Sequence, residues 1–416
     1  MGRLQICCAD VRGFVFGGYS MRYAIIMLTA LLIPGAAAAQ ISDGVVRIGV
    51  LTDMSGPYAD NTGPGSLVAV KMAVDDFGGK VAGAPIDIVS ADHPKPDVGL
   101  ARARQWFDQD GVDAIVDVPS SAVALGVQQL ARIKNRVLIV SGGGTSDLTG
   151  ASCSQTTVHW TYDTYAFGNA LGTEMVKRGY SSWFFLTVDY ALGQALERDA
   201  TEAVKRAGGT VVGSVRHPIN TADFSPFVLR AQASKAKIVA LANGGADTAN
   251  AVKQAQEFGL AAGGQQLAAF GMQIHDTRAL GLQLTQGMII TQAFYWDRDE
   301  ATREWSERFL KIHGKMPTDF QAGLYSAVTH YLKSIAALKS DEAKAVVDKM
   351  KELPVHDFFA PQGMVRRDGR MVHDIYVLEV KKPSESKRDW DFYKVLATIP
   401  GELAFRSLAD GGCPDQ

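Results

Sequence analysis

Between Arg47 and Ala293 the hydrophobic pattern repeats one cycle: a short apolar run, a turn rich in Gly, Ser, Asp and Tyr, then apolar residues at helical spacing. Short apolar runs bounded by turn signals fit strands buried on both faces, and the i, i+3, i+4 spacing fits amphipathic helices. Their alternation predicts an α/β fold in which helices flank parallel sheets. The turns of such sheets collect at the carboxyl edge of the strands, where ligands bind.

The first array opens with a strand over 45–51 and a long turn from Thr52 to Gly65. A helix carrying Leu67, Val70, Val74 and Phe77 follows and is stopped by Gly78 and Gly79. Strands are predicted over 85–91, 113–118 and 137–140, with helices near 97–109 and around Val127, Leu130 and Ala131. A second array starts after Thr161. It has helices over 163–178, up to Ala207 and before Gly259, and strands over 183–188, 210–215, 237–242, 266–270 and 287–293. Residues 299–352 read as mostly helical, with late strands over 372–380 and 392–396. Neither array looks complete without these later segments. Two lobes are therefore expected, 43–161 with about 290–355 and 162–289 with about 356–400, joined by a hinge and followed by a tail over 401–416.

The amino terminus changes the picture of where this fold works. Arg22 precedes the apolar run 23–33, then Pro34-Gly35 and four alanines before Gln40. That is the layout of a cleavable secretory signal, with cleavage expected after Ala39 and Met21 as an alternative start. The run is too short for a membrane span, which needs about 20 apolar residues. No cysteine stands at the cleavage site to receive a lipid. Without residues 1–39 the chain loses three arginines and one aspartate, which leaves 39 basic and 43 acidic residues and a net charge of −4. No basic block stands out, so nucleic acid is not an expected partner. Of four cysteines, Cys7 and Cys8 lie in the leader, and Cys153 and Cys413 remain as the one available pair. In an oxidising compartment a disulfide between them would strap the tail onto the body, the alternative being two free thiols.

The chemistry sits just after strands. Ser55, Gly56 and Tyr58 follow the first strand, Pro119, Ser120 and Ser121 the third, and Gly142, Gly143, Gly144 and Thr145 the fourth. In the second array Asp189 and Tyr190 follow the first strand and Asn243, Gly244 and Gly245 the third. Glycines let a backbone approach a ligand, and hydroxyls with helix N-terminal N–H groups suit a carboxylate. Each turn taken alone is equally an ordinary N-cap. Five of them at matching strand ends point to a binding cleft. The segment from Val158 to Tyr165 includes Trp160, Tyr162 and Tyr165 where the chain should cross between lobes, either as a wall for a flat ligand or as a hinge plug. There is no G-x-S-x-G, H-E-x-x-H, C-x-x-C, phosphate-loop or G-x-G-x-x-G motif, and the eight histidines show no metal-ligand spacing. Neither an enzyme nor a cofactor or metal site is expected.

The residues from Ile48 to Tyr58, the stretch 111–116, Ser120-Ser121 and the run from Ser141 to Thr145 resemble the type I periplasmic substrate-binding proteins of ABC importers, in particular the branched-chain amino-acid-binding family. The resemblance spans about 45–380 and implies a monomer that closes two lobes on a small molecule and docks on a membrane permease. It also implies that Ser120, Ser121 and Thr145, with the Gly143 and Gly144 backbone, meet a ligand carboxylate, and that Tyr58 and Asp189 or Tyr190 close over it. Ser55, Gly244, Gly245 and Met272 complete the expected site. Amino-acid binders of this family carry an acid after the fourth strand of the second lobe. Here the stretch 270–274, containing Met272, has none. An unpaired buried ammonium is costly, so the ligand is expected to be an aromatic acid of benzoate or hydroxycinnamate type, as the 158–165 segment and the Cys413 tail also suggest by resemblance. A branched-chain amino acid or amide, or a sensor of the same fold, is the alternative.

Overall fold

The computed structural model describes Gly13 and residues 41–414. The expected leader falls, Gly13 aside, outside the described residues. Strand β1 (Val46–Thr52) is buried along nearly its whole length, as a parallel strand covered on both faces must be. It is followed by α1 (Gly63–Asp76), β2 (Lys80–Val81), β3 (Ala84–Asp92), α2 (Pro96–Asp108), β4 (Ala114–Asp117), α3 (Ser121–Lys134), β5 (Val137–Val140) and β6 (Thr157–His159). These strands form one sheet in the order β2-β3-β1-β4-β5-β6, parallel except for the β2–β3 hairpin.

The second lobe starts with α4 (Thr164–Lys177), β7 (Ser182–Val188), α5 (Ala191–Arg206), β8 (Thr210–His217), α6 (Ser225–Ala233), β9 (Ile238–Gly244) and α7 (Ala246–Glu257). It continues through β10 (Gln266–Gly271), α8 (Ile274–Leu280), α9 (Leu282–Thr285) and β11 (Ile289–Gln292). The chain then returns to the first lobe with α10 (Glu300–His313), α11 (Asp319–Leu338) and α12 (Ala343–Glu352), of which α11 packs on α1. A small hairpin, β12 (Met364–Val365) and β13 (Met371–Val372), precedes β14 (Ile375–Val380) and β15 (Tyr393–Ile399), which join the second sheet antiparallel at its edge. That sheet has the order β15-β14-β11-β10-β9-β7-β8. Short helices α13 (Gly401–Ala404) and α14 (Leu408–Gly411) form the tail. Among the described residues no helix is long and apolar enough to cross a membrane.

Two expected boundaries shift. β11 pairs with β10, so the change of lobe comes after Gln292 rather than at 290. The segment 356–372 belongs beside the first lobe, because His159 N–H donates to Gly369 O at 2.9 Å and His159 bridges Arg370. The apolar pattern alone does not announce α6, which Pro226 opens on a half-buried face.

Arg370 holds the crossing together. Its guanidinium has no exposed surface and donates to the carbonyls of Trp160, Tyr162 (2.8 Å) and Met371 (2.8 Å), with Asp163 at 3.7 Å and the Phe405 ring 4.6 Å away. Burial pulls its pKa down to about 10, so it stays charged at neutral pH. Replacing it leaves three carbonyls without this donor and removes the cation beside the buried Asp163. Arg370→Leu is expected to lower unfolding free energy by about 3 kcal/mol. Chemical denaturation of the variant giving a loss below about 1 kcal/mol would contradict this.

Cys153 and Cys413 form a disulfide, with Cα atoms 5.5 Å apart across a sequence separation of 260. It ties the tail, which leaves the second lobe through β15, to the loop before β6 in the first lobe. Arg406 reinforces the strap by donating to Asp199 Oδ1 of α5 (3.0 Å) and Ser146 Oγ of the first lobe (3.3 Å).

Candidate functional site

The carboxyl ends of the strands in both sheets face each other across a cleft. At the end of β1, Asp53 shapes the turn: its Oδ1 accepts from Gly56 N–H (2.5 Å) and Ser55 N–H (3.2 Å), and its Oδ2 from Tyr58 N–H (2.9 Å). This turn presents Pro57, Tyr58 and Asn61 to the cleft. At the end of β4, Asp117 (φ 81°) and Val118 (φ 50°) are both left-handed. L-residues, above all a β-branched one, adopt that conformation at a cost of about 1–2 kcal/mol each, and such strain collects at functional sites. Its effect here is to turn Pro119 into the cleft wall.

At the end of β5 the glycine run packs against Tyr162. A Cβ on Gly144 would lie 2.5 Å from Tyr162 Oη, and one on Gly143 would lie 2.7 Å from Val118 O. The Tyr162 hydroxyl donates to Gly142 O (3.0 Å), and its ring stacks on Phe167 and Phe320 with centroids 4.6 and 5.3 Å away. The second lobe contributes Leu192 from α5, Gly244 and Gly245 after β9, and Gly271 after β10. Together these groups surround a narrow cavity of about 20 Å³, room for about one water molecule. A larger groove, of about 580 Å³ and lined by Arg298, Pro361, Tyr376 and Glu402, lies along β14 and β15 instead of at the ends of the parallel strands.

The two sides of the cleft touch. Tyr58 and Tyr190 hydrogen-bond through their hydroxyls, and Ala246 N–H donates to Pro57 O at 3.2 Å. Asn61 Nδ2 donates to Asp276 of α8 (3.2 and 3.4 Å). The His275 ring lies 2.6 Å from both Asp60 O and Met316 O of the first lobe.

Of the expected site residues, Tyr58, Tyr162, Gly244 and Gly245 line the wall, while Tyr190, Gly143 and Gly144 stand directly behind it. Ser121 Oγ accepts from the Gly144 and Thr145 N–H groups at 3.2 Å each, so the hydroxyl fills the backbone nest that was expected to receive a carboxylate. Ser120 is the half-buried N-cap residue of α3. The remaining positions are turned elsewhere. Ser55 Oγ donates to Asp92 (2.6 Å), and the Thr145 hydroxyl caps the turn over 146–149 through Asp147. The Tyr165 ring is held between Arg206 and Arg406, and Asp189 is half-exposed and paired with Arg216. Met272 is fully buried, its carbonyl accepting from Gln292 (2.6 Å). Trp160 is a core residue whose Nε1–H donates to Ser326.

Sequence reasoning placed Pro119 in a cleft turn but missed Asn61, Leu192, Gly271 and Phe320 as wall residues. It also missed the carboxylates of Asp276 and Asp319. Asp276 follows the acid-free stretch by only two residues. Asp319 opens α11 beside Phe320, its Oδ2 accepting from Ala293 N–H (3.1 Å) and its Oδ1 without a partner. Burial pushes both carboxyls up to about 7. A carboxyl whose folded pKa is raised binds its proton more tightly when folded, so stability falls as pH rises from about 4 through about 7. Asp319→Asn should therefore stabilise the protein at pH 8, by on the order of 2 kcal/mol, and leave it unchanged near pH 4. Equal stabilisation at both pH values in urea titrations would remove the ionisation of Asp319 as the cause.

The periplasmic binding protein family model matches residues 45–387. A periplasmic binding protein from Burkholderia mallei is 49% identical, with a TM-score of 0.87 over 89% of this chain and 99% of that one. A branched chain amino acid ABC transporter periplasmic ligand-binding protein from Burkholderia xenovorans is 39% identical, with a TM-score of 0.81 over 89% and 99%. The Leu/Ile/Val-binding protein homolog 6 of Brucella melitensis is 27% identical over 86% of this chain and 94% of its own length. An ABC transporter solute binding protein from Rhodopseudomonas palustris, solved with benzoate, shares the fold at 19% identity and a TM-score of 0.80 over 89% and 99%. With the two-sheet architecture and the cleft between facing strand ends, these matches establish that the chain belongs to the periplasmic binding protein family of ABC-transporter solute-binding proteins.

Proposed function

We propose that this chain captures a small aromatic carboxylate of benzoate or hydroxycinnamate type in the interlobe cleft and delivers it to the membrane permease of an ABC importer. The observation that carries this reading is the composition of the wall. Tyr58, Tyr162 and Phe320 offer ring faces and edges, Pro119 and Leu192 complete the apolar surface, and glycine backbone supplies the close approach. No lysine or arginine lines the cavity. Ligand binding favours the closed arrangement by differential affinity, and the closed form is what a permease would read. The export leader expected over 1–39 and the family support the periplasm as the compartment for this work.

A branched-chain amino acid is the second reading, favoured by a specific observation. Asp276 and Asp319 are buried near the cleft without a lysine or arginine partner among the described residues. Either could hold an ammonium group. Thermal shift against aromatic carboxylates and branched-chain amino acids separates the two. Binding to the native state alone stabilises by about 2.7 kcal/mol at a hundredfold excess over Kd. A rise in Tm with leucine or valine, and none with benzoate or the hydroxybenzoates, would overturn the aromatic-acid reading.

A further inference from the structure

Asn61 carries a buried hydrogen-bond acceptor without a partner beside the interlobe cavity. The residue is 2% exposed and forms part of the cavity wall. Its backbone is fixed at both ends: N–H donates to Tyr58 O (3.0 Å), and the carbonyl accepts from Thr318 Oγ1 (2.9 Å). Its side-chain Nδ2 is committed to Asp276, whose Oδ2 is itself held by Gln273 N–H at 2.7 Å. A carboxylate accepts and does not donate, so the amide cannot turn over without setting two acceptors against each other. Asn61 Oδ1 is left buried and without a partner. The other polar groups at the wall are occupied: the Tyr162 hydroxyl donates to Gly142 O, and Tyr58 and Tyr190 bond to each other.

We infer that Asn61 is a specificity-determining residue, and that the cognate ligand carries an O–H or N–H donor that meets Asn61 Oδ1 in the closed cleft. This rests on the proposed capture of a small molecule in the cleft and refines its class to hydroxylated or amino-bearing acids over their unsubstituted counterparts. A site that holds a buried acceptor rejects an analogue without the matching donor, because closing on it strips the acceptor of water and returns nothing.

The test is calorimetry at pH 8 on the purified protein with matched pairs. Burial pushes the Asp276 carboxyl up to about 7, so it is ionised at that pH. The pairs are 3- and 4-hydroxybenzoate against benzoate, and leucine against 4-methylpentanoate. At least one donor-bearing ligand should bind roughly tenfold or more tightly than its counterpart. Asn61→Leu should bring that ratio close to one. Asp276→Asn, which allows the Asn61 amide to turn and present Nδ2, should lower the ratio as well, and it serves if Asn61→Leu fails to fold. The assignment is overturned if no pair differs by tenfold, or if the ratio survives in both variants. Aromatic acids that bind regardless of a hydroxyl overturn it while leaving the aromatic-acid reading intact. Silence from the aromatic acids, with leucine preferred over 4-methylpentanoate, does the reverse.

Discussion

Gly245→Val is expected to weaken ligand binding by at least about a hundredfold while both lobes remain folded. Gly245 stands at the start of α7 in the second lobe, and a Cβ built on it would lie 2.1 Å from Pro57 O in the first. That carbonyl also accepts from Ala246 N–H, so it cannot retreat without breaking the contact between the lobes. The obstruction acts on closure and not on either lobe's own packing. A penalty of about 3 kcal/mol on the closed form lowers apparent affinity by roughly two orders of magnitude. Gly245 also has φ 58°, which any side chain would find strained. Gly259→Val controls for this, because Gly259 has φ 66° with no atom nearer than 4.0 Å to its Cβ position. Calorimetry with the strongest ligand of the thermal-shift panel should separate the two variants. Equal affinities would show that the contact is not needed for capture.

The second large effect concerns the strap. Cys413→Ser removes a link that closes a loop of 260 residues. On the chain-entropy account such a loop is worth about 5 kcal/mol of stability. Over the 374 residues from 41 to 414, an unfolding entropy of about 2.1 cal/mol/K per residue converts that into a Tm lower by roughly 6 °C. Reductant added to the parent should reproduce the shift and should do nothing further to the variant. A parent melting curve indifferent to reductant would sink the prediction. The strap also joins the lobes, so the variant should open more widely, which small-angle scattering can read.

Much of the architecture was legible because the parallel strands are short, apolar and punctuated. Val137–Val140 and Gln266–Gly271 lie within a residue of where the pattern puts them. The strands that were missed, β2, β6, β12 and β13, are two or three residues long, too short to carry an apolar or alternating pattern of their own. The site was legible only as a set of turns. Sequence shows which residues follow a strand, but not which way each side chain faces. Ser55 turns back to Asp92, Tyr165 turns outward to two arginines, and Pro119 enters the wall because Val118 takes a left-handed backbone that no periodicity forecasts. Phe320 comes from a helix and lies 259 residues beyond Asn61, with no local signal of its role. The acid-free stretch 270–274 was read correctly as sequence. Its inference to ligand class weakens because the fold brings Asp276 and Asp319 near the cleft from outside that window.

The discontinuous first lobe has a consequence for how the chain is made. Helix α1 packs on α11, which begins at Asp319, more than 240 residues after α1 ends. At about 5–20 residues per second, synthesis leaves the first sheet without this cover for roughly 12–50 s. During that interval the face of α1 that packs on α11 has no partner from its own lobe. The native first lobe consequently becomes reachable only once α11 has been made, when translation is nearly finished.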